Sequence, residues 1–149
     1  MSNNEPAPSP RATASCLCGG VSFTVHGPLR QVVHCYCPQC RKTHGLMGPY
    51  TQAQHEDIVF SEQKTLKWYQ SSELARRGFC QDCGASIFWH PTGGASISIS
   101  AGLIDPPTAL SVVGHIYVDS MADFCVLPED GLPRFATTSA GKLDGDLST

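Results

Sequence analysis

The chain has 149 residues, of which 41% are hydrophobic and 15% charged, and it contains 14 glycines and 11 prolines. This length suits one domain, and this composition is typical of a globular, turn-rich protein built from short strands. The net charge of -3, without a basic run, argues against a nucleic-acid or acidic-membrane partner.

The first predicted element is a disordered leader over residues 1–11, which lacks aromatic and branched aliphatic residues and has no apolar segment of the kind found in secretory signals. Strand-length runs bounded by turn residues follow at 21–26, 31–36, 48–51, 57–61, 65–70, 74–80, 86–90, 95–101 and 112–118. A short helical turn is predicted over 39–44, ended by Gly45, and a helical period is visible only at 119–124. We therefore predict one mainly β domain over residues 12–136, made of short antiparallel strands, and a flexible polar tail over 137–149.

No apolar run approaches the ~20 residues that a membrane span requires, so we expect a cytoplasmic protein with no membrane partner. The cytoplasm keeps thiols reduced. The eight cysteines of the chain therefore indicate metal binding or thiol chemistry rather than disulfides.

Four of these cysteines form two pairs that suit one closed metal site. Cys80 and Cys83 form a Cys-x-x-Cys followed by glycine, as in a zinc knuckle, which supplies half of a tetrahedral site. Cys16 and Cys18 also precede glycines and are natural partners for the knuckle. We predict a structural zinc bound by these four thiolates, which would contribute directly to folding.

Cys35, Cys37 and Cys40 form a Cys-x-Cys-x-x-Cys cluster that remains after this pairing. Three thiolates can hold a second zinc with one tetrahedral position open. An open position could accept a thiolate or polarise a carbonyl oxygen as a Lewis acid.

Three other arrangements are compatible with the spacing alone. The cysteines could form disulfides, or Cys16 and Cys18 could pair with Cys35 and Cys37 instead. A fourth protein ligand could also close the second site, and His34, His44 and Cys125 are the residues available for that role.

Four segments in order, CLCGGVSFTVHG, HCYCPQCRKTHG, FCQDCGASIFW and GHIYVDS, resemble the glutathione-dependent formaldehyde-activating enzyme family, which also includes centromere protein V. The resemblance covers about residues 14–135. It implies a β-tent fold and two zinc ions, a structural one at Cys16, Cys18, Cys80 and Cys83 and a catalytic one at Cys35, Cys37 and Cys40. It also implies a carbon–sulfur lyase that acts on thiol adducts such as S-hydroxymethylglutathione, the product of glutathione and formaldehyde.

The chain departs from the family pattern after the last of these segments. Relatives often carry a Ser-Lys-x-Pro-Trp type stretch there, whereas residues 120–125 read SMADFC and lack the lysine and the tryptophan. If this segment shapes the substrate pocket, substrate choice would differ from that of the family's namesake.

Other polar residues near the motifs have candidate roles. Arg41 and Lys42 are positioned to bind a substrate carboxylate, and His44 to transfer a proton beside the second zinc. His115 resembles a family histidine, for which we expect a packed, structural role. Trp68 and Trp89 are predicted core residues, and Cys125 a buried small residue.

Two function classes fit these observations. The first is the zinc-dependent lyase, with a small-molecule thiol or thiol adduct as its partner. The second is a non-catalytic zinc-binding module for a protein or thiol ligand, because a fold alone does not imply catalysis. The fourth ligand of the second zinc distinguishes them, since an open position favours the enzyme and a protein ligand favours the module.

Overall fold

A computed structural model describes residues 9–144 and 147–148 of the chain. Most of the predicted leader, residues 1–8, lies outside the described residues. The strands in chain order are β1 Ala12–Ser15, β2 Ser22–Val25, β3 Leu29–Cys35, β4 Gly48–Gln54, β5 Ile58–Glu62, β6 Leu66–Gln70, β7 Ala75–Cys80, β8 Ser86–Pro91, β9 Ser96–Ser100, β10 Val112–Ile116 and β11 Leu147–Ser148. The α-helix of the described region is α1 Pro38–His44, and short 3-10 turns occupy His55–Asp57, Ala101–Leu103 and Val118–Ser120. The prediction of a mainly β protein is confirmed.

The strands form two sheets. The smaller sheet has the order β1-β2-β5, and the larger has the order β10-β3-β4-β9-β8-β7-β6, with β11 also paired to β3. Among the described residues, every pairing between two strands is antiparallel except one, since β10 runs parallel to β3. The prediction of antiparallel strands throughout is therefore wrong at this edge, where a long connection allows the parallel direction.

A single apolar core lies between the two sheets. Phe23 of the small sheet packs on Phe88 of the large sheet with ring centroids 5.1 Å apart, and Phe60 lies 5.8 Å from Phe23. Trp68 stacks on the same Phe88 ring with centroids 5.7 Å apart. These aromatic contacts join the sheets across their facing surfaces.

Residues at each end of helix α1 explain where it begins and ends. Pro38 occupies its first turn, where the missing N–H costs no hydrogen bond, and the Cys37 sulfur caps it by accepting from the Cys40 N–H. Gly45 ends it in the left-handed region at φ 92°, as predicted. The predicted helical period at 119–124 is limited to the 3-10 turn Val118–Ser120.

The segment predicted to be a flexible tail contacts the domain in the structure. Leu143 and Ser139 are buried, and the Tyr117 N–H donates to the Thr137 carbonyl at 2.9 Å. Strand β11 pairs with the start of β3. Ser139 and Leu143 therefore anchor an otherwise exposed segment to the domain, while the division of the chain into leader, domain and tail stays a prediction.

No helix among the described residues is long and apolar enough to cross a membrane.

Candidate functional site

The structure brings Cys16, Cys18, Cys80 and Cys83 together, with all four Sγ atoms within 4.8 Å of one another. The Cys18 sulfur lies 3.7 Å from Cys16 and 3.5 Å from Cys80. Sulfurs bound to one tetrahedral zinc at about 2.3 Å are separated by about 3.8 Å. The donor set and its spacing therefore fit a zinc ion.

This four-thiol cluster joins the two sheets. Cys16 directly follows β1 of the small sheet, and Cys80 ends β7 of the large sheet. The Val21 N–H donates to the Cys16 sulfur at 3.3 Å, and the Cys83 N–H to the Cys80 sulfur at 3.4 Å. Backbone donors of this kind favour the thiolate form that a metal requires.

Thr65 makes a further contact with this cluster. Its Oγ1 lies 3.1 Å from the Cys80 sulfur, in the protein interior. The Thr65 hydroxyl, together with backbone N–H groups, lowers the pKa of the Cys80 thiol to about 6. The Cys80 sulfur therefore favours the thiolate form, which binds a metal cation, at neutral pH.

Cys35, Cys37 and Cys40 form a second, separate cluster, again with their sulfurs within 4.8 Å of one another. Cys35 ends β3, Cys37 caps α1, and Cys40 is buried in the helix, with its N–H 3.4 Å from the Cys37 sulfur. All eight cysteines are free thiols, and neither disulfides nor the alternative pairing of Cys16 and Cys18 with this cluster is formed.

The three-thiol cluster opens into a cavity of about 630 Å³. This size is usual for a small-molecule site, for which pockets of roughly 300–1,000 Å³ are typical. The wall consists of Arg30, Val33, Cys35, Cys37, Pro38, Gln39, Cys40, Tyr50, Gln52, Ser72, Arg77, Trp89, Ser98, Ile116, Tyr117 and Thr138. We call it the thiol cavity.

The candidate fourth ligands lie elsewhere. His34 faces His115, with ring centroids 5.3 Å apart, and His44 Nε2 contacts the Tyr50 hydroxyl. Across the described part of the chain, neither histidine, nor Cys125, nor any carboxylate joins the three sulfurs within 4.8 Å. The described residues therefore offer the second site three thiols only.

Sequence reasoning missed Arg77, which is buried beside this cluster. Its Nη2 lies 3.7 Å from the Cys40 sulfur, its Nη1 donates to the Tyr50 hydroxyl at 3.0 Å, and its Nε donates to Gln39 at 3.0 Å. Hydrogen bonds from the neighbouring thiols chiefly lower the pKa of Cys37, and the charge of Arg77 acts in the same direction. A buried cation therefore favours thiolate in this cluster.

His44 does not line the cavity but contacts Tyr50, which does. Its Nε2 is 2.6 Å from the hydroxyl of Tyr50, which is part of the wall. Burial, and then the charge of Arg77, lower the pKa of His44, while burial raises the pKa of Tyr50 to about 12. Both groups are therefore neutral near pH 7, with Tyr50 donating to His44 and accepting from Arg77.

The remaining predicted residues are placed as follows. Arg41 and Lys42 are not in the cavity wall. Trp68 packs in the core as predicted, whereas Trp89, also predicted as a core residue, lines the cavity because the β8 side chains alternate between two faces. Cys125 is only partly buried.

His115 is fully buried and belongs to a separate polar group. Its Nε2 lies 2.8 Å from an Asp130 carboxylate oxygen, and its Nδ1 lies 3.2 Å from the Tyr36 hydroxyl. These contacts are to a carboxylate and a hydroxyl rather than to a metal-site sulfur, and its position in β10, paired with His34 of β3, suits the packed role expected for it.

The C-terminal part of the chain contributes to the cavity through residues other than those expected. No residue of the divergent segment 120–125 is in the wall, whereas Tyr117 and Thr138 are. Tyr117 has a left-handed φ of 57°, a strained conformation for a bulky residue, which ends β10 and starts the next turn.

Comparisons with known proteins agree with this architecture. A crystal structure of a Rhodobacter sphaeroides protein matches with a TM-score of 0.54 and 19% identity, covering 82% of this chain and 98% of that one, which shows a shared fold. No curated protein gave a significant match. The family profile described as glutathione-dependent formaldehyde-activating enzyme matches residues 11–120, which include both cysteine clusters. The chain belongs to the glutathione-dependent formaldehyde-activating enzyme family.

Proposed function

We propose that this protein is a zinc-dependent carbon–sulfur lyase that forms and cleaves thiol adducts such as S-hydroxymethylglutathione in the thiol cavity. The observation that supports this most directly is the convergence of Cys35, Cys37 and Cys40 in the wall of a substrate-sized cavity, with no fourth ligand among the residues that the structure describes. Family membership supports the choice of glutathione and formaldehyde as reactants. We also propose that the two sheets form a β-tent fold.

Each cysteine cluster has a distinct proposed role. Cys16, Cys18, Cys80 and Cys83 would hold a structural zinc, and Cys35, Cys37 and Cys40 a catalytic one. A zinc ion bound by three thiolates supplies a Lewis acid and a position that accepts a thiolate or an oxygen. Arg77, beside Cys40, offsets the excess negative charge of three thiolates around a dication.

The reaction itself needs one proton transfer and one carbon–sulfur bond change. In the cleavage direction the adduct hydroxyl loses its proton, the carbon–oxygen bond becomes a carbonyl, and the carbon–sulfur electron pair leaves with the sulfur as thiolate. Synthesis is the reverse, with the thiolate attacking the formaldehyde carbon and the alkoxide oxygen gaining a proton.

Tyr50 and His44 are the residues suited to transfer this proton. Tyr50 lines the cavity and its hydroxyl contacts His44 Nε2, so this hydroxyl is suited to accept the adduct's proton as its own proton passes to neutral His44. Arg77 Nη1 holds the Tyr50 oxygen in place during the exchange. His44 then returns the proton to the departing thiolate through the same hydroxyl.

The test is NMR exchange spectroscopy of glutathione and formaldehyde with the zinc-loaded protein. The uncatalysed addition is already fast, so rate constants with and without protein are compared at the same pH. We expect acceleration with the wild-type protein and with Cys125→Ala, and none with Cys37→Ser. An exchange rate equal to buffer for the wild type, with two zinc ions bound, would refute the lyase. Adduct or thiol binding without acceleration would favour the non-catalytic binding module.

We place the protein in the cytoplasm, with a small-molecule thiol as its partner. The eight free cysteines support this location, because a reducing compartment keeps such thiols available to metals.

A further inference from the structure

A chain of hydrogen bonds connects Asp130, His115 and Tyr36, and none of the three residues lines the thiol cavity. His115 is fully buried at the centre of this chain. Its Nε2 lies 2.8 Å from an Asp130 carboxylate oxygen, and its Nδ1 lies 3.2 Å from the Tyr36 hydroxyl. Both ring nitrogens of the histidine therefore have a partner, although the proposed reaction uses none of these groups.

The Asp130 carboxylate fixes the orientation of the histidine ring. Its Oδ2 contacts His115, and its Oδ1 accepts from the Leu132 N–H at 3.0 Å. The hydrogen bond from His115, followed by that from Leu132, lowers the pKa of Asp130, so this group is a carboxylate that can only accept. His115 Nε2 therefore carries a hydrogen and points at Asp130, which leaves Nδ1 for Tyr36.

The backbone of His115 is also held on two sides. In β10 it pairs with His34 of β3. On its other side its N–H donates to the Pro133 carbonyl and its carbonyl accepts from the Phe135 N–H, each at 2.9 Å. Because the backbone and both ring nitrogens are held, the ring is a rigid support for the groups that it contacts.

Tyr36 transmits this support to the three-thiol cluster, because it is the residue between Cys35 and Cys37. Both cysteines line the thiol cavity, whereas Tyr36 is buried outside its wall. The Tyr36 N–H donates to the Ile116 carbonyl at 3.0 Å. The backbone and the hydroxyl of this one residue are thus both attached to β10, which restricts the positions of the two sulfurs beside it.

The three-thiol cluster benefits from such an attachment. Its sulfurs lie within 4.8 Å of one another, and as thiolates they repel each other at this distance. A site that is already held in its binding geometry spends less free energy on ordering when a metal binds. Residues that orient metal ligands without touching the metal typically change metal affinity by about 10–100-fold.

We infer that Tyr36, His115 and Asp130 are positioning residues for the three-thiol cluster, in which the hydrogen bond between His115 and Tyr36 holds Cys35 and Cys37 at the spacing that retains the proposed catalytic zinc. The inference rests on the proposed function for the presence of that zinc. It gives His115 a role beyond packing, although this residue contacts neither a sulfur nor the cavity.

The measurement is the rate at which zinc leaves the fully loaded protein when a chromogenic chelator is added at a fixed pH. Two phases are expected, and the phase of the three-thiol cluster is the one absent from Cys37→Ser. Tyr36→Phe keeps the ring and removes only the hydroxyl, so we expect this phase to become about tenfold faster while the other stays unchanged. Equal acceleration of both phases would show general destabilisation of the fold and overturn the inference.

Two further substitutions separate positioning from packing. Tyr69→Phe is the matched control, since Tyr69 is 64% exposed on β6, and neither phase should change in it. His115→Gln places an amide near the position of Nε2 and nothing at Nδ1, so it should match Tyr36→Phe. The double variant should release zinc no faster than either single one, because residues that act as a unit are not additive. Additive acceleration, or acceleration in Tyr69→Phe, contradicts the inference.

A second arm replaces zinc with cobalt(II), whose visible absorption reports the geometry of its ligands. The difference between the wild-type and Cys37→Ser spectra isolates the three-thiol cluster, and we expect this difference spectrum to change in Tyr36→Phe. An unchanged release phase in Tyr36→Phe refutes the inference, and this variant decides the test if His115→Gln does not fold. Neither readout needs a substrate. Accelerated release in Tyr36→Phe with no NMR exchange by the wild type would therefore refute the lyase and leave the positioning role intact.

Discussion

The two cysteine clusters are built from the same side chain but differ in how far apart their members lie along the chain. The four-thiol cluster joins Cys16 to Cys80, and hence the small sheet to the large one. The three-thiol cluster comes from one strand end and the helix that follows it. A cross-link between residues far apart in the chain restrains the fold. A cluster formed within a few residues contributes little to the fold, so its thiols can line a cavity instead.

The largest expected effect tests this difference directly. Cys80→Ser should unfold or aggregate the protein, because Cys80 is fully buried and its cluster ties the two sheets together. Cys37→Ser should leave a folded domain that binds one zinc fewer. Circular dichroism on heating and metal analysis measure both outcomes.

Comparing Cys80→Ser with Cys37→Ser also defines the result that would contradict this division of roles. If Cys37→Ser loses cooperative unfolding as completely as Cys80→Ser, then the clusters do not divide into structural and catalytic sites. We expect the stability loss in Cys80→Ser to be at least about 3 kcal/mol, as for other buried charged groups that lose a partner.

A smaller effect is expected from the proton relay at the cavity. His44→Phe should lower the exchange rate of the glutathione adduct by about tenfold, because Tyr50 then has no acceptor for its proton. Zinc content and S-methylglutathione affinity should not change, since His44 is outside the wall. A pH–rate profile that is identical in the variant and the wild type would exclude His44 from the reaction.

The substitution Thr65→Val tests whether Thr65 acts on the four-thiol cluster and not on the three-thiol cluster. The Thr65 hydroxyl makes the largest contribution, beside backbone N–H groups, to depressing the pKa of Cys80 to about 6, so the folded state favours the thiolate. This stability is present above the ordinary thiol pKa and is lost as the pH falls through about 6. Removing the hydroxyl raises the Cys80 pKa. Protons should then displace zinc at a higher pH, with the midpoint raised by up to about one pH unit.

The measurement is zinc release during acid titration, followed with a chromogenic chelator. Release should occur in two steps, and only one of them should move in Thr65→Val. A shift of both steps, or of neither, would show that Thr65 does not act on the four-thiol cluster alone.

The smallest effect is expected at Cys125, the cysteine outside both clusters. Cys125→Ala should keep two zinc ions and change the free energy of unfolding by less than about 0.5 kcal/mol. Loss of one zinc ion from this variant would show that Cys125 is a fourth ligand of the second site, which would weaken the case for catalysis.

Much of the architecture is predictable from local patterns. Strand-length runs bounded by turn residues match most of the strands, and Gly45 marks the end of the helix because a left-handed residue is needed there. The grouping of the cysteines is also predictable, since a knuckle supplies half a site and needs a second pair. Both inferences use information that lies within a few residues of chain.

Features that depend on distant contacts were not predictable. The strand Ala12–Ser15 carries weak strand-formers and is held by its neighbour β2, and the parallel pairing of β10 depends on a connection spanning most of the domain. Arg77 stands next to Arg76 in the sequence and belongs to no recognisable motif. Alternation along a strand places adjacent residues on opposite faces, which is the signal that one of them points inward.

The order of the ligands along the chain also has a consequence for biosynthesis. During translation Cys35, Cys37 and Cys40 emerge together, and little chain entropy is needed to bring them onto one ion. The four-thiol cluster stays half-made until Cys83 has been synthesised and β7 has met the small sheet. The proposed catalytic zinc could therefore be acquired by the nascent chain, whereas the proposed structural zinc would be acquired only as folding is completed.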